Sequence, residues 1–323
     1  MDAGSIPKVA SRAHSVAESV AAFLRKHADL RLGGNTVDFA QERRHHLKVF
    51  GFHALAPEDR SPIRKVEFEG VRGPSARCCC LVYMHGGGYT VGSVDEFENG
   101  LRSLAEASDV IIIGVDYHLA PEHQFPTQLE EYSAVIDWAQ SSEGARRGIS
   151  PDLVFGGGDS AGGNMTEAIS LLRLDQGRKN IAGQLLLYPE SRVPFDTPAS
   201  SENNSGQDLY LVCNGIFSFA DHYLPKEPGN TYPPSHRYVS PGMQSTEHLH
   251  GLPAAALFTC GFDPLRDVGV EYGSKLQEAG VPVKWHHYPN LTHGFLQMAP
   301  WSSECKSALG DVAQELRRMA YRS

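Results

Sequence analysis

Leu153-Val154-Phe155-Gly156-Gly157-Gly158-Asp159-Ser160-Ala161-Gly162-Gly163-Asn164 is the stretch on which the reading of this chain turns. Leu153 to Gly156 predicts a buried strand, and the segment from Ala161 to Leu174 has the apolar spacing of a helix. Between them lies the G-x-S-x-G pattern Gly158 to Gly162. For this composition the pattern alone would turn up by chance roughly 0.3 times per chain, so its position between strand and helix carries the meaning. A nucleophile elbow needs that context. The serine takes a strained backbone conformation, and the flanking glycines let strand and helix pass without a Cβ clash.

About 75 residues upstream, a predicted strand from Cys80 to Met84 ends on His85-Gly86-Gly87-Gly88, a tetrapeptide expected by chance in about one such chain in a hundred. Consecutive glycines leave backbone N–H groups free to point into a cleft. With the amide of Ala161 they can stabilise an oxyanion at Ser160. A serine nucleophile also needs a base and an acid that orients it. Among fifteen histidines, His293 follows the last predicted strand (Val281 to Tyr288) in a loop before the final helix, and Asp263 follows the strand before it (Ala255 to Cys260). Both emerge at the carboxyl ends of strands, where open α/β sheets place their sites. The chain order Ser, Asp, His is that of α/β-hydrolases.

Further strands are predicted at Val110 to Val115 and Gln184 to Tyr188, with helical patterns around Phe97 to Ala107, Leu129 to Gln140, Gly269 to Ala279 and Ser303 to Met319. Strand and helix in alternation predict a mainly parallel sheet covered on both faces. Lys65 to Glu69 and Leu47 to Phe52 alternate in a half-polar way that predicts an antiparallel start. Two regions break the rhythm: residues 1–50, with a helix-like stretch from Ser15 to His27, and residues 191–237, rich in Pro, Asn, Ser and aromatics. Long irregular segments of this kind carry function or inserted structure. Together they are expected to form a small cap, leaving 51–190 and 238–323 as the catalytic domain.

Composition narrows the function classes. With 323 residues, 41% hydrophobic and 21% charged, the chain can build one large domain. A net charge of -9 argues against binding nucleic acid or anionic membranes. No apolar run nears the roughly 20 residues that span a bilayer, and the stretch around Val20 to Leu24 lacks the apolar run of a signal peptide. A soluble, cytoplasmic protein is expected. Three of the six cysteines, Cys78 to Cys80, are consecutive within a strand, so neighbours point to opposite faces and suit no disulfide framework. Free thiols are expected. The pairs His45-His46 and His286-His287 lack a third ligand at a recognisable spacing, and no metal or other cofactor is expected.

The chain resembles the hormone-sensitive-lipase-like branch of carboxylesterases in the α/β-hydrolase superfamily. The matching pieces are His85-Gly86-Gly87-Gly88-Tyr89, Asp116 to His123 followed by Phe125-Pro126, Gly158 to Asn164, Tyr188-Pro189, Asp263-Pro264-Leu265-Arg266-Asp267 and His293-Gly294-Phe295. They span roughly residues 80 to 300 in order. The resemblance implies an α/β-hydrolase fold with an eight-stranded, mainly parallel sheet and a helical cap. It implies Ser160 as nucleophile, His293 as base, Asp263 as its partner, and Gly86, Gly87, Gly88 and Ala161 as oxyanion donors. Asp267 is the rival acid; Pro264 restrains the residue before it to an extended conformation, which favours Asp263.

Tyr89, Asp159 and Phe295 are expected at the substrate pocket, although Asp159 also suits hydrogen bonds to nearby loops. Phe217, Phe219 and Tyr223 either line the pocket or pack the cap. The expected activity is hydrolysis of short- to medium-chain or compact small-molecule esters, by a monomer or homodimer. An amide or thioester hydrolase, an acyltransferase, a non-hydrolytic lyase and a receptor-like binding module are the alternatives.

Overall fold

The strand that precedes the glycine turn shows how the sequence builds the core. In β1 (Cys78–Met84), Cys79, Leu81 and Tyr83 enter one apolar cluster and Cys80, Val82 and Met84 the other, on the opposite face. This is the two-residue period of a strand buried on both sides. It also separates the cysteine side chains. Cys78, Cys79, Cys80, Cys260 and Cys305 are free thiols, and burial pushes Cys80 and Cys305 each up to about 12; Cys213 lies outside the described residues.

This computed structural model describes residues 6–33, 38–60, 78–203, 209–212 and 216–321. The strands that follow are β2 (Ile111–Val115), β3 (Ile149–Asp159), β4 (Gln184–Leu187), a two-stranded hairpin of β5 (Lys226–Glu227) and β6 (Asn230–Thr231), then β7 (Ala255–Phe262) and β8 (Val283–Thr292). The main sheet has the order β2-β1-β3-β4-β7-β8, and every pairing in it is parallel. All its carboxyl ends therefore open on one edge. β4 and β7 are buried along their whole length, as expected of central parallel strands.

The helices are α1 (Glu18–Lys26), α2 (Phe39–Phe50), α3 (Val94–Ser108), α4 (Thr127–Ala139), α5 (Ser142–Arg146), α6 (Ala161–Asp175), α7 (Pro198–Glu202), α8 (Ile216–Tyr223), α9 (Thr246–Leu249), α10 (Arg266–Glu278), α11 (Phe295–Met298) and α12 (Ser303–Tyr321). Each crossover helix predicted from periodicity is present. The Ser93 side chain caps α3 by accepting from the Glu96 amide at 3.2 Å.

The main sheet has six strands among the described residues. One expectation is corrected. Leu47 to Phe52 is not a strand: it is the end of α2, whose start Asp38 caps by accepting from the Gln41 amide at 2.9 Å and whose His46 and Phe50 are buried one turn apart. The other expected early strand, Lys65 to Glu69, lies outside the described residues.

The N-terminal segment and the segment after β4 meet over the carboxyl edge of the sheet. Leu32 bridges to Leu211, with Leu32 N–H donating to the Tyr210 carbonyl and Val212 N–H to the Leu32 carbonyl, each at 2.9 Å. Arg12 donates to Asn203 Oδ1 at 3.0 Å. Arg43 of α2 reaches down to the carbonyls of Thr90 (2.8 Å) and Ala120 (2.9 Å) beside the glycine turn.

Candidate active site

Ser160 sits between the last residue of β3 and the first of α6, with φ +55° and ψ −121°. A residue with a Cβ pays for that conformation, which persists only where the surroundings impose it. Here the Ser160 amide donates to the Leu187 carbonyl (2.9 Å), and its own carbonyl accepts from the amides of Asn164 (3.1 Å) and Glu190 (3.2 Å). The turn is also sterically closed. A Cβ on Gly162 would stand 1.9 Å from the Met84 carbonyl oxygen, and one on Gly158 would stand 2.4 Å from the backbone of Gly162. Gly162→Ala is therefore expected to cost about 3 kcal/mol or more in a urea unfolding titration, because the obstacle is backbone that cannot rotate away. A loss below 0.5 kcal/mol would contradict this reading.

The glycine turn is braced from behind. The His85 ring lies between Phe97 (ring centroids 5.4 Å apart) and Tyr117 (4.3 Å), and its Nδ1 is 2.8 Å from the Gly86 carbonyl oxygen. Tyr117 Oη donates to the His85 carbonyl at 2.9 Å. Gly87 and Gly88 take φ +108° and +58°, and a Cβ on Gly88 would meet the Phe219 ring at 2.1 Å.

The Gly86 amide is already used. It donates to Asp159 Oδ1 at 2.8 Å, and the same oxygen accepts from Tyr83 Oη at 2.9 Å. This corrects one expectation, since the Gly86 amide is not a free oxyanion donor; of the two roles expected for Asp159, the bonds it makes are those of a pin between the elbow and the glycine turn. Burial raises its carboxyl to about 7. The amides of Gly87, Gly88 and Ala161 meet no protein acceptor among the described residues. The last of these heads α6, whose N-terminal partial charge favours an anion there.

Asp263 leaves the carboxyl end of β7, and His293 that of β8. His293 Nδ1 and Asp263 Oδ2 are 2.8 Å apart, with both residues buried. The second carboxylate oxygen of Asp263 accepts from the Leu265 amide at 2.8 Å, and its carbonyl accepts from Asn203 Nδ2 at 3.1 Å. Its side chain is thus fixed from the loop, and its backbone from the segment after β4. Asp267 points elsewhere: it pairs with buried Arg266 (2.7 Å) and accepts from the Ala199 amide of α7 (2.8 Å).

The pocket aromatics fall out differently. Phe295 is fully buried against Tyr188 and Tyr288, so the expectation that it contacts substrate is corrected; the α11 turn carries its ring into the core. The Tyr89 ring stacks on Tyr223, centroids 3.8 Å apart and 6° from parallel. The side chain of Phe217 lies outside the described residues. Two neighbours escaped sequence reasoning. The Tyr188 ring stands 4.7 Å from that of His293, and Glu190 bonds to the nucleophile's backbone. Their signal was position: both follow β4, the strand next to the elbow strand. Among the described residues no three His, Cys, Asp or Glu side chains gather as a metal-binding group; His46 turns to Tyr210 and Glu96, and His286 to Glu315.

A model of the alpha/beta hydrolase fold family matches residues 81–297. The chain is similar to the esterase LipI of Mycobacterium tuberculosis, 35% identical over 219 residues that cover 68% of this chain and 66% of that protein. It thus spans just under two thirds of that relative's length. It is also similar to the carboxylesterase NlhH of the same organism, 31% identical over 274 residues, covering 82% of this chain and 84% of that one. Among solved structures, a hyperthermophilic esterase from the archaeon Pyrobaculum calidifontis matches with a TM-score of 0.81 and 27% identity, over 95% of this chain and 99% of that one.

Proposed function

This chain belongs to the alpha/beta hydrolase fold family, in its hormone-sensitive-lipase-like branch, and from that premise we propose that it is a serine carboxylesterase of short- to medium-chain or compact small-molecule esters. Ser160 Oγ attacks the ester carbonyl while His293 takes its proton through Nε2. Asp263 holds the imidazole by Nδ1 and stabilises its charged form. The amides of Gly87, Gly88 and Ala161 receive the oxyanion. His293 then protonates the leaving alcohol and activates the water that releases the acyl group. The observation that carries this reading is the 2.8 Å Asp263–His293 pair on the same sheet edge as a serine strained at φ +55°.

The N-terminal segment and residues 191–237 act as a cap that restricts substrates by size. The Leu32–Leu211 bridge and the Arg12–Asn203 bond support that grouping. Among the described residues no helix is long and apolar enough to cross a membrane. The free thiols fit a cytoplasmic enzyme, working as a monomer or homodimer.

A fluorophosphonate probe is expected to tag the wild-type protein on the peptide that holds Ser160, and p-nitrophenyl acetate to be turned over. Protein that resists both the probe and the ester would overturn the esterase reading.

A further inference from the structure

Three polar side chains beside the nucleophile are buried without a hydrogen-bond partner among the described residues: Tyr89 Oη, Tyr223 Oη and Glu190 Oε1. They are 1%, 1% and 2% exposed. Orphaned buried polar groups are rare, and each calls for an explanation. Near the site His85 Nε2, Asn164 Oδ1 and Glu167 Oε2 also lack a partner. Each of those side chains is held through its other polar atom, to Gly86, Glu190 and Ser191 respectively, whereas among the described residues no side-chain hydrogen bond holds Tyr89, Tyr223 or Glu190.

Their placement is specific. Tyr89 follows the oxyanion glycines directly and takes φ +64°, a conformation that strains an aromatic residue. Its ring lies flat on that of Tyr223 from α8. Glu190 is held by its backbone alone: its amide donates to the Ser160 carbonyl, and its carbonyl accepts from Asn164 Nδ2 at 2.8 Å. Its carboxyl is the charge that, after burial itself, most raises both phenols. Glycine turn, cap helix and post-β4 loop thus each deliver one unpaired polar group to a single cluster.

Resting on the esterase reading, we propose that Tyr89, Tyr223 and Glu190 form a polar subsite that hydrogen-bonds an uncharged hydroxyl or carbonyl group of the ester substrate, close to the scissile bond. Burial lifts the Glu190 carboxyl to about 8, so at neutral pH it is mostly protonated and offers both a donor and an acceptor. Two phenols and a neutral carboxyl complement a neutral group. A pure hydrocarbon chain would leave all three unpaired, the condition under which polar sites discriminate most strongly against analogues.

The test compares kcat/KM for two matched pairs at pH 7: p-nitrophenyl 3-hydroxybutyrate against p-nitrophenyl butyrate for the acyl side, and glyceryl monobutyrate against propyl butyrate for the alcohol side. The wild type should favour the hydroxylated ester of one pair by about tenfold or more. Glu190→Gln, which mimics the protonated carboxyl, should keep that preference, and Glu190→Leu should bring the ratio towards one. The melting temperature of Glu190→Leu should not fall, because the change removes an unpaired group. Wild-type ratios near one in both pairs, or a ratio in Glu190→Leu equal to wild type, would overturn the subsite and leave the esterase reading intact. A lower melting temperature in Glu190→Leu with both esters of a pair slowed equally would overturn it too, by making Glu190 structural. No turnover of any ester by the wild type would sink the esterase reading, and the subsite with it.

Discussion

Ser160→Ala is expected to lower kcat for p-nitrophenyl acetate by about six orders of magnitude, leaving only the residual catalysis of binding and oxyanion donors. The nucleophile and its base act as a unit, so removing the hydroxyl removes the acyl-enzyme route entirely. The informative comparison is with Ser160→Gly. Both variants lack the nucleophile, but they differ in backbone freedom at φ +55°, ψ −121°. Glycine escapes a strain of about 1–3 kcal/mol at such a position and gives back somewhat less than 1 kcal/mol in unfolded-chain entropy. Ser160→Gly should therefore be more stable than Ser160→Ala by about 1 kcal/mol in urea unfolding. An equally active Ser160→Ala would remove Ser160 from the mechanism, and a Ser160→Gly less stable than Ser160→Ala would show that the elbow stores no strain.

What the sequence reveals and what it hides divide along physical lines. The elbow is legible because its demands are local: strand, serine and glycines are neighbours in the chain, and the Met84 carbonyl merely tightens the same requirement. The parallel sheet is legible because strands buried on both faces read as apolar runs. The fate of the Gly86 amide is not legible. It depends on where the carboxylate of Asp159, 73 residues away, ends up. Phe295 misleads for a related reason: adjacency to His293 in sequence says nothing about the short α11 turn that swings its ring between Tyr188 and Tyr288. Leu47 to Phe52 reads as a half-polar strand, and what makes Leu47 to Phe50 the end of a helix instead is the Asp38 cap and the packing of Phe50 on Phe23 and Tyr210. The one local sign of Glu190 is its place just after β4; its interest lies in what it fails to touch.

Asp263→Asn is expected to reduce kcat by about four orders of magnitude with little change in fold, since the side chain keeps its size. The 2.8 Å contact to His293 Nδ1 requires an acceptor on the acid. An amide turned to donate there would force the imidazole proton onto Nε2, the nitrogen that must take the proton of Ser160, and the base would be disabled before the ester arrives. Asp267→Asn supplies the contrast. That carboxylate neutralises an Arg266 guanidinium that is itself only 1% exposed, and it also receives the Ala199 amide from α7. Arg266 keeps a second ion pair with Glu202 at 2.8 Å, so the loss is that of one buried charge-assisted pair, and Asp267→Asn should lose about 2 kcal/mol of stability while keeping kcat within about tenfold of wild type. The two substitutions thus separate along different axes, rate for one and stability for the other. Should Asp267→Asn show the collapse in rate and Asp263→Asn the collapse in stability, the acid of the triad would have to be reassigned one helical turn further along the chain.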